Sequence, residues 1–319
     1  MKKSWLTAGI AAATMCVSPA FASSTAVEGM KGAQLIEYAA QPYIQYREDI
    51  DHVSGEMPAD EGAMRDTYFR LASHDNRTMA ASWIAYAAMI AADQPDFAAE
   101  IARRVKKRGG REAFLEELES NPAVVRNMKG SEEAVAAIMA FATNDASRIR
   151  KVGDSFISEA YEMQKVSWAK APISKGGTQR VEDALKYAAT RRWADYGRKV
   201  KPSKNGTVRP DLVSLASWSP EWSKEDAQVN PSARPGTIVT KALVLGVRYA
   251  TNTAEQEHLA SFGTSKKSER CFTNAKMNLD QCIAATRTPY EEAFCLGQHA
   301  LNDVSSCVGW PAGVGAAGS

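Results

Sequence analysis

Residues Met79 to Ala92 read MAASWIAYAAMIAA, and among these fourteen only Ser82 is polar. The stretch is shorter than the ~20 residues a helix needs to span a bilayer, and it has no polar stripe with which to face water. A helix buried on all sides is expected. Alanines at positions 80, 81, 85, 87 and 88 let neighbouring helices approach closely, while Trp83, Ile84, Tyr86, Met89 and Ile90 supply bulk. The rest of the chain then has to cover this helix.

The flanking segments have the periodicity such cover requires. Upstream, Val27 to Ile50 carries Leu35, Ile36, Ala39, Tyr43, Ile44 and Tyr46 at helical spacing, with a break expected near Pro42. Glu61 to Ser73 resumes the period through Met64, Tyr68 and Leu71, and His74-Asp75-Asn76 is placed to cap the buried helix. Downstream, Phe97 to Arg108 ends in five basic residues before Gly109-Gly110, an ordinary helix C-terminus. A second alanine-rich run opens at Ser131-Glu132-Glu133 and meets a polar stop at Asn144-Asp145, after which Ala146 to Lys170 and Val181 to Trp193 are helical again. Because Asp93 closes the first alanine-rich run and Asp145 the second, a helical-hairpin duplication stays open. No sustained period-two alternation occurs in residues 23–193, so the fold class is all-α, a multi-helix bundle.

Residues 1–22 have a basic start, a short apolar stretch and the small-residue site Ala20-Phe21-Ala22, the pattern of a secretory signal peptide. The division expected after it is a helical bundle over 23–198, a proline-rich ordered strap or linker over 199–236, a helical region over 237–310 and a disordered tail over 311–319. Pro202, Pro210, Pro220, Pro231 and Pro235 forbid long helices in the strap, while Leu212, Leu215, Trp218 and Trp222 supply apolar bulk that a free linker would not need. Length alone leaves open whether the helical body is one domain or two. Lys2 and Lys3 account for two of the 39 basic residues, so the remainder equals the 37 acidic ones. That balance argues against a dedicated nucleic-acid binder, and no later run is apolar for long enough to give a transmembrane span in the mature chain.

Beyond Cys16 in the leader, the cysteines are Cys271, Cys282, Cys295 and Cys307. An even number in an exported chain implies two disulfides. Thr288-Pro289-Tyr290-Glu291 is a capping box with proline at the first helical position, so a helix containing Cys295 starts there and faces an upstream helix over Phe272 to Ala285. Cys271 and Cys282 lie about 16 Å apart along one helix, beyond disulfide reach. Antiparallel packing then pairs Cys282 with Cys295 and Cys271 with Cys307, a disulfide-stapled α-hairpin in which each bridge contributes roughly 2 to 4 kcal/mol. The nested pairing resembles that of coiled-coil-helix-coiled-coil-helix hairpins, with longer spacings than that family uses. One phase does not close. Eleven residues return Cys282 to within about 20° of Cys271, whereas the twelve from Cys295 to Cys307 leave about 120°. Either the second helix ends near Ser305-Ser306 or Gly297 loosens it. No CxxC supports a redox role, and zinc would require all four thiolates to converge.

Catalytic signatures are sparse. HExxH, GxSxG and P-loop patterns are absent, and the GxGxxG at Gly313 to Gly318 has no strand before it. Glu255 and His258 have the spacing of half a di-iron site, without a second pair to complete it. His74 beside Asp75 reads as a turn rather than half a dyad, and His299 as a surface or packing residue. The carboxylate pairs Glu159 with Glu162 and Glu116 with Glu117 look like ordinary solvated faces. No catalytic residue, metal ligand or cofactor is therefore assigned. Arg191, Arg192, Trp193, Arg198, Lys199 and Lys201 form a basic run with aromatic interleaving, suited to an anionic polymer. The function expected is an exported, non-catalytic binding or scaffolding protein of the cell envelope, periplasmic or secreted. Its partner would be peptidoglycan, another anionic envelope polymer or an envelope protein. The alternative is a helical envelope hydrolase using carboxylates on glycan or peptide.

Overall fold

A computed structural model describes residues 29–55, 57–107, 109–191, 207–212, 229–230 and 232–314. Among these residues the chain is all-α, with thirteen α-helices, short 3₁₀ and π segments and no strand. The first half runs α1 (Gly32–Ser54), α2 (Glu61–Ala72), α3 (Asn76–Asp93), α4 (Pro95–Lys106), α5 (Gly110–Ser120), α6 (Ser131–Met163), α7 (Ser167–Lys170) and α8 (Gly176–Thr190). The second runs α9 (Thr237–Ala250), α10 (Gln256–Phe262), α11 (Lys266–Ala285), α12 (Pro289–Cys295) and α13 (Val304–Gly309).

Helix α3 is buried throughout Met79 to Ala92, and α1, α6, α9 and α11 pack around it. Its small residues allow the closest of these approaches. A Cβ placed on Gly246 of α9 would lie 2.9 Å from the carbonyl oxygen of Ala88, a separation that only glycine tolerates without movement. Asp75 caps the helix by accepting the Thr78 N–H at 2.9 Å. At the other end Pro95 opens α4 from its first turn.

Two expected breaks are absent. Helix α1 continues across Pro42; proline removes one N–H from the ladder, but the burial of Tyr43, Ile44 and Tyr46 beyond it holds the helical course. Helix α6 likewise runs through Asn144-Asp145 for 33 residues. Asp145 is no stop, because its carboxylate is neutralised inside the protein by Arg47. The second alanine-rich run is thus the first half of a long helix, not a counterpart of the 18-residue α3, and α6 gives way to the separate short α7 before Lys170.

Of the proline-rich segment, residues 207–212 lie against the bundle. Val208 and Pro210 are buried, the Val208 N–H donates to Ala250 at 2.8 Å, and Leu212 packs on the core. Leu215, Trp218 and Trp222 fall outside the described residues. Residues 311–314, expected to belong to a disordered tail, are ordered against the bundle. Trp310–Ala312 form a 3₁₀ turn with Pro311 and Ala312 buried, and the Val314 N–H donates to Gly309 at 3.0 Å. Apolar contact with the bundle fixes these residues despite their small size, and 315–319 lie outside the described residues.

The hairpin is stapled as its geometry required, Cys271 to Cys307 and Cys282 to Cys295, with Cα separations of 5.6 and 5.7 Å. Its phase closes through a π-helical stretch, Leu296–Asp303. An i→i+5 turn holds an extra residue, so the twelve residues from Cys295 advance about as far around the axis as eleven in a regular helix. Gly297 sits in this stretch against α6: a Cβ there would lie 2.6 Å from the carbonyl oxygen of Gly153. Gly297→Ala is therefore expected to cost about 1 to 3 kcal/mol by overpacking. Denaturant unfolding with the disulfides intact would show this as a lower midpoint at an unchanged slope.

Candidate functional site

Helix α1 carries polar groups into the interior, which prepares the charge layout of the molecule. Glu37, Gln45, Arg47 and Asp49 are all buried. Arg47 Nε lies 3.1 Å from Asp145 Oδ2, Arg47 Nη1 donates to the Tyr86 hydroxyl at 2.8 Å, and the Tyr43 hydroxyl donates to Asp145 at 2.8 Å. Burial pushes the Asp145 carboxyl up to about 6 against the pull of Arg47. For Arg47 burial works downward, but Asp145 together with Tyr86 and Tyr43 lifts it above its ordinary value.

Two residues on, on another face of α1, Asp49 gathers three partners from three places in the chain. Arg70 Nη1 is 2.9 Å away, His74 Nε2 is 2.7 Å away, and Arg191 grips both oxygens at 2.7 and 2.8 Å. Burial would raise this carboxyl, but the hydrogen bonds from His74, Arg191 and Arg70 hold it well below the usual carboxylate range. Arg191 also donates to Arg70 O and Ser73 Oγ. It is an anchor that fixes the end of α8, with 12 % of its side chain exposed, and not a free surface cation. Arg192, Trp193, Arg198, Lys199 and Lys201 lie outside the described residues.

Arg70 has a second face. With α2 on one side and α8 on the other, it borders an open groove of about 1170 Å³ that also reaches His52 in the last turn of α1 and Met57 beyond that helix. Five guanidinium or ammonium groups line this groove, those of Arg65, Arg70, Lys175, Arg180 and Lys186, against the carboxylates of Asp66 and Asp183. Phe69 and Tyr187 present their rings between them, with centroids 5.7 Å apart. Helical spacing produces the pattern: Arg65 and Phe69 are four apart on α2, as are Asp183 and Tyr187 on α8.

The wall has an inner, fixed layer and an outer, exchangeable one. Arg180 is buried and donates to Glu292 and to Glu61, each at 2.8 Å, while Glu61 accepts from the Ser174 N–H. That backbone bond, with the Ser174 hydroxyl, lowers the Glu61 carboxyl. Arg65, Lys175 and Lys186 are 46, 71 and 71 % exposed and, among the described residues, pair only with Asp66 or Asp183. Exposed pairs of this kind contribute little and exchange partners easily. Among the described residues the two carboxyls whose pKa is raised, Asp145 and Glu292, are buried in the body of the protein, and Asp183 in the groove is lowered. The groove offers charge and stacking faces.

The other residues singled out by sequence lie apart from the groove. Glu162 pairs with Lys165 and Glu117 with Arg104 at the surface, while Glu159 and Glu116 are exposed. Glu255 and His258 form a helix cap, His258 Nδ1 accepting from the Glu255 N–H at 2.9 Å while Nε2 lies 2.9 Å from Glu119. His299 meets Asp303 one turn along its own helix. Among the described residues no group of three or more His, Cys, Asp or Glu is placed to hold a metal ion.

Comparison with protein-family models, with curated proteins and with solved structures returns no match. Function has to be argued from the chain's own residues.

Proposed function

We propose that this is an exported, non-catalytic binding or scaffolding protein of the cell envelope, whose groove between α2 and α8 takes a stretch of anionic polymer such as peptidoglycan. The observation that carries this reading is the groove itself, with its exchangeable cations and its two aromatic faces. The basic run supports it. In sequence the run follows directly on α8, whose Asp183, Lys186 and Tyr187 line the groove, and its first residue, Arg191, is pinned to Asp49. Compartment supports it as well: residues 1–22 have the pattern of a leader, two disulfides join the C-terminal helices, and no described helix is long and apolar enough to cross a membrane.

The test is co-sedimentation of the oxidised protein with purified peptidoglycan, with released fragments scored by mass spectrometry. Binding without release is expected. Changing Arg65, Lys175 and Lys186 together to alanine should weaken it about tenfold, at ~0.5 kcal/mol per exposed charge, and salt should weaken the parent protein similarly. Release of fragments would replace this reading with the hydrolase. Binding that ignores both the three substitutions and salt would remove the groove from it. Arg191 is unsuited to such a test because its loss would strip Asp49 of a partner.

A further inference from the structure

We infer that the tip of the stapled hairpin carries a second site, independent of the groove: an aromatic seat for a small organic cation bearing a quaternary or alkylated ammonium group. Among the described residues the only exposed aromatic side chains are Tyr161, 57 % exposed, and Phe294, 36 % exposed. They come from different helices, α6 and α12, and meet with ring centroids 6.4 Å apart at an angle of 77°. Scattered single exposed apolar residues need no explanation. Two aromatics from different elements, set nearly at right angles around one concavity, do.

That concavity is about 260 Å³, with Tyr290 as a third aromatic and the Cys282–Cys295 disulfide in its lining. Its charge is opposite in kind to that of the groove. Among the described residues the lining holds the Glu291 carboxylate and no lysine, arginine or histidine. Glu291 is fixed in place because its Oε2 accepts the N–H groups of Arg287 and Thr288 at 2.6 and 3.0 Å. Aromatic faces are electronegative, and a cation within about 6 Å of such faces is attracted, most strongly where several rings surround it. A fixed carboxylate beside them adds to that field, whereas an anion would be repelled. The volume is below the range that houses drug-sized ligands and suits a trimethylammonium group. A sugar ring would need donors and acceptors around its whole edge; the Thr286 hydroxyl is already committed to the Ile283 carbonyl, which leaves the Gln164 amide and the two tyrosine hydroxyls beside Glu291.

The test titrates the oxidised protein with choline, with its uncharged carbon isostere 3,3-dimethyl-1-butanol, and with N-acetylglucosamine, following binding by calorimetry or NMR shifts. Choline should bind saturably and at least about tenfold more tightly than the isostere. Tyr161→Leu and Phe294→Leu, which keep apolar bulk at exposed positions, should each weaken it about fivefold. The Arg65, Lys175 and Lys186 triple variant should bind choline unchanged, which separates this site from the groove. Equal affinity for the isostere, preference for the sugar, no saturable binding of choline, or indifference to both leucine variants would each overturn the inference.

Discussion

Arg47→Ala is expected to lower the unfolding free energy by about 3 to 5 kcal/mol, the range for breaking a buried ion pair from one side. The side chains of Arg47 and Asp145 are 3 and 2 % exposed. Removing the cation leaves a buried carboxyl with the Tyr43 hydroxyl as its donor and takes from the Tyr86 hydroxyl the guanidinium that donates to it. Alanine also leaves a cavity where the guanidinium packs over the Tyr86 ring, 5.4 Å from its centroid. The loss should persist in 1 M salt, because screening does not reach a pair removed from solvent. The double replacement Arg47→Met with Asp145→Leu is the informative control. Apolar side chains of similar volume should recover most of the loss. A single-variant loss under about 1 kcal/mol in urea or guanidinium unfolding would show that water reaches the pair and that α1 and α6 are not joined by it.

This pair marks the limit of what periodicity makes legible. Apolar spacing locates α2, α3 and α9, since each buries a stripe or a whole surface that must show in sequence. Cysteine positions and the Thr288 capping box are enough for the hairpin, because disulfide reach excludes the intrahelical pairing. Asp145 defeats the same method. A polar doublet after an apolar run looks like a helix stop, and only the location of Arg47, 98 residues earlier in sequence, turns it into interior. Pro42 is the converse case, a local breaker overruled by tertiary burial. The phase error at Cys307 was visible in the spacing, and Gly297 marked its place; the π stretch that absorbs it depends on contact with Gly153 and follows from no local propensity.

The groove was harder to see. Its five basic and two aromatic groups come from α2, α8 and Lys175 before α8, and none stands out alone: Arg65, Phe69, Asp183 and Tyr187 look like parts of solvated helix faces. The faint signal was an aromatic four residues from a charged side chain on both helices. Arg191 was visible as a cation, but its role was not, since Asp49 lies 142 residues away and looks like one acid among many. Charge runs report composition, while a site depends on which charges the fold turns inward.

Between pH 4.5 and 7 the protein should lose stability that a Glu292→Gln variant keeps. Glu292 is fully buried; its Oε1 accepts from Arg180 at 2.8 Å, and its Oε2 has no hydrogen-bond partner among the described residues. Burial raises the carboxyl from 4.5 to about 7 despite Arg180. A raised acid holds its proton in the folded state after the unfolded chain has released it. Its contribution is therefore complete below pH 4.5 and is lost as pH rises through 7, on the order of 3 kcal/mol at 1.36 kcal/mol per unit. Asp145, raised to about 6, pulls in the same direction, whereas His74, lowered by burial, favours the folded state at higher pH. Both remain in the variant, so they cancel when the two proteins are compared. Glutamine imitates the protonated acid, so the two should be about equally stable near pH 4.5 and diverge in favour of the variant by pH 7.5, as read from denaturant unfolding at each pH. Parallel curves would mean that Arg180 satisfies an ionised Glu292. In that case the link from the stapled hairpin through Arg180 to Glu61 in the groove wall is a salt bridge at every pH the protein meets, and not one that a proton loosens.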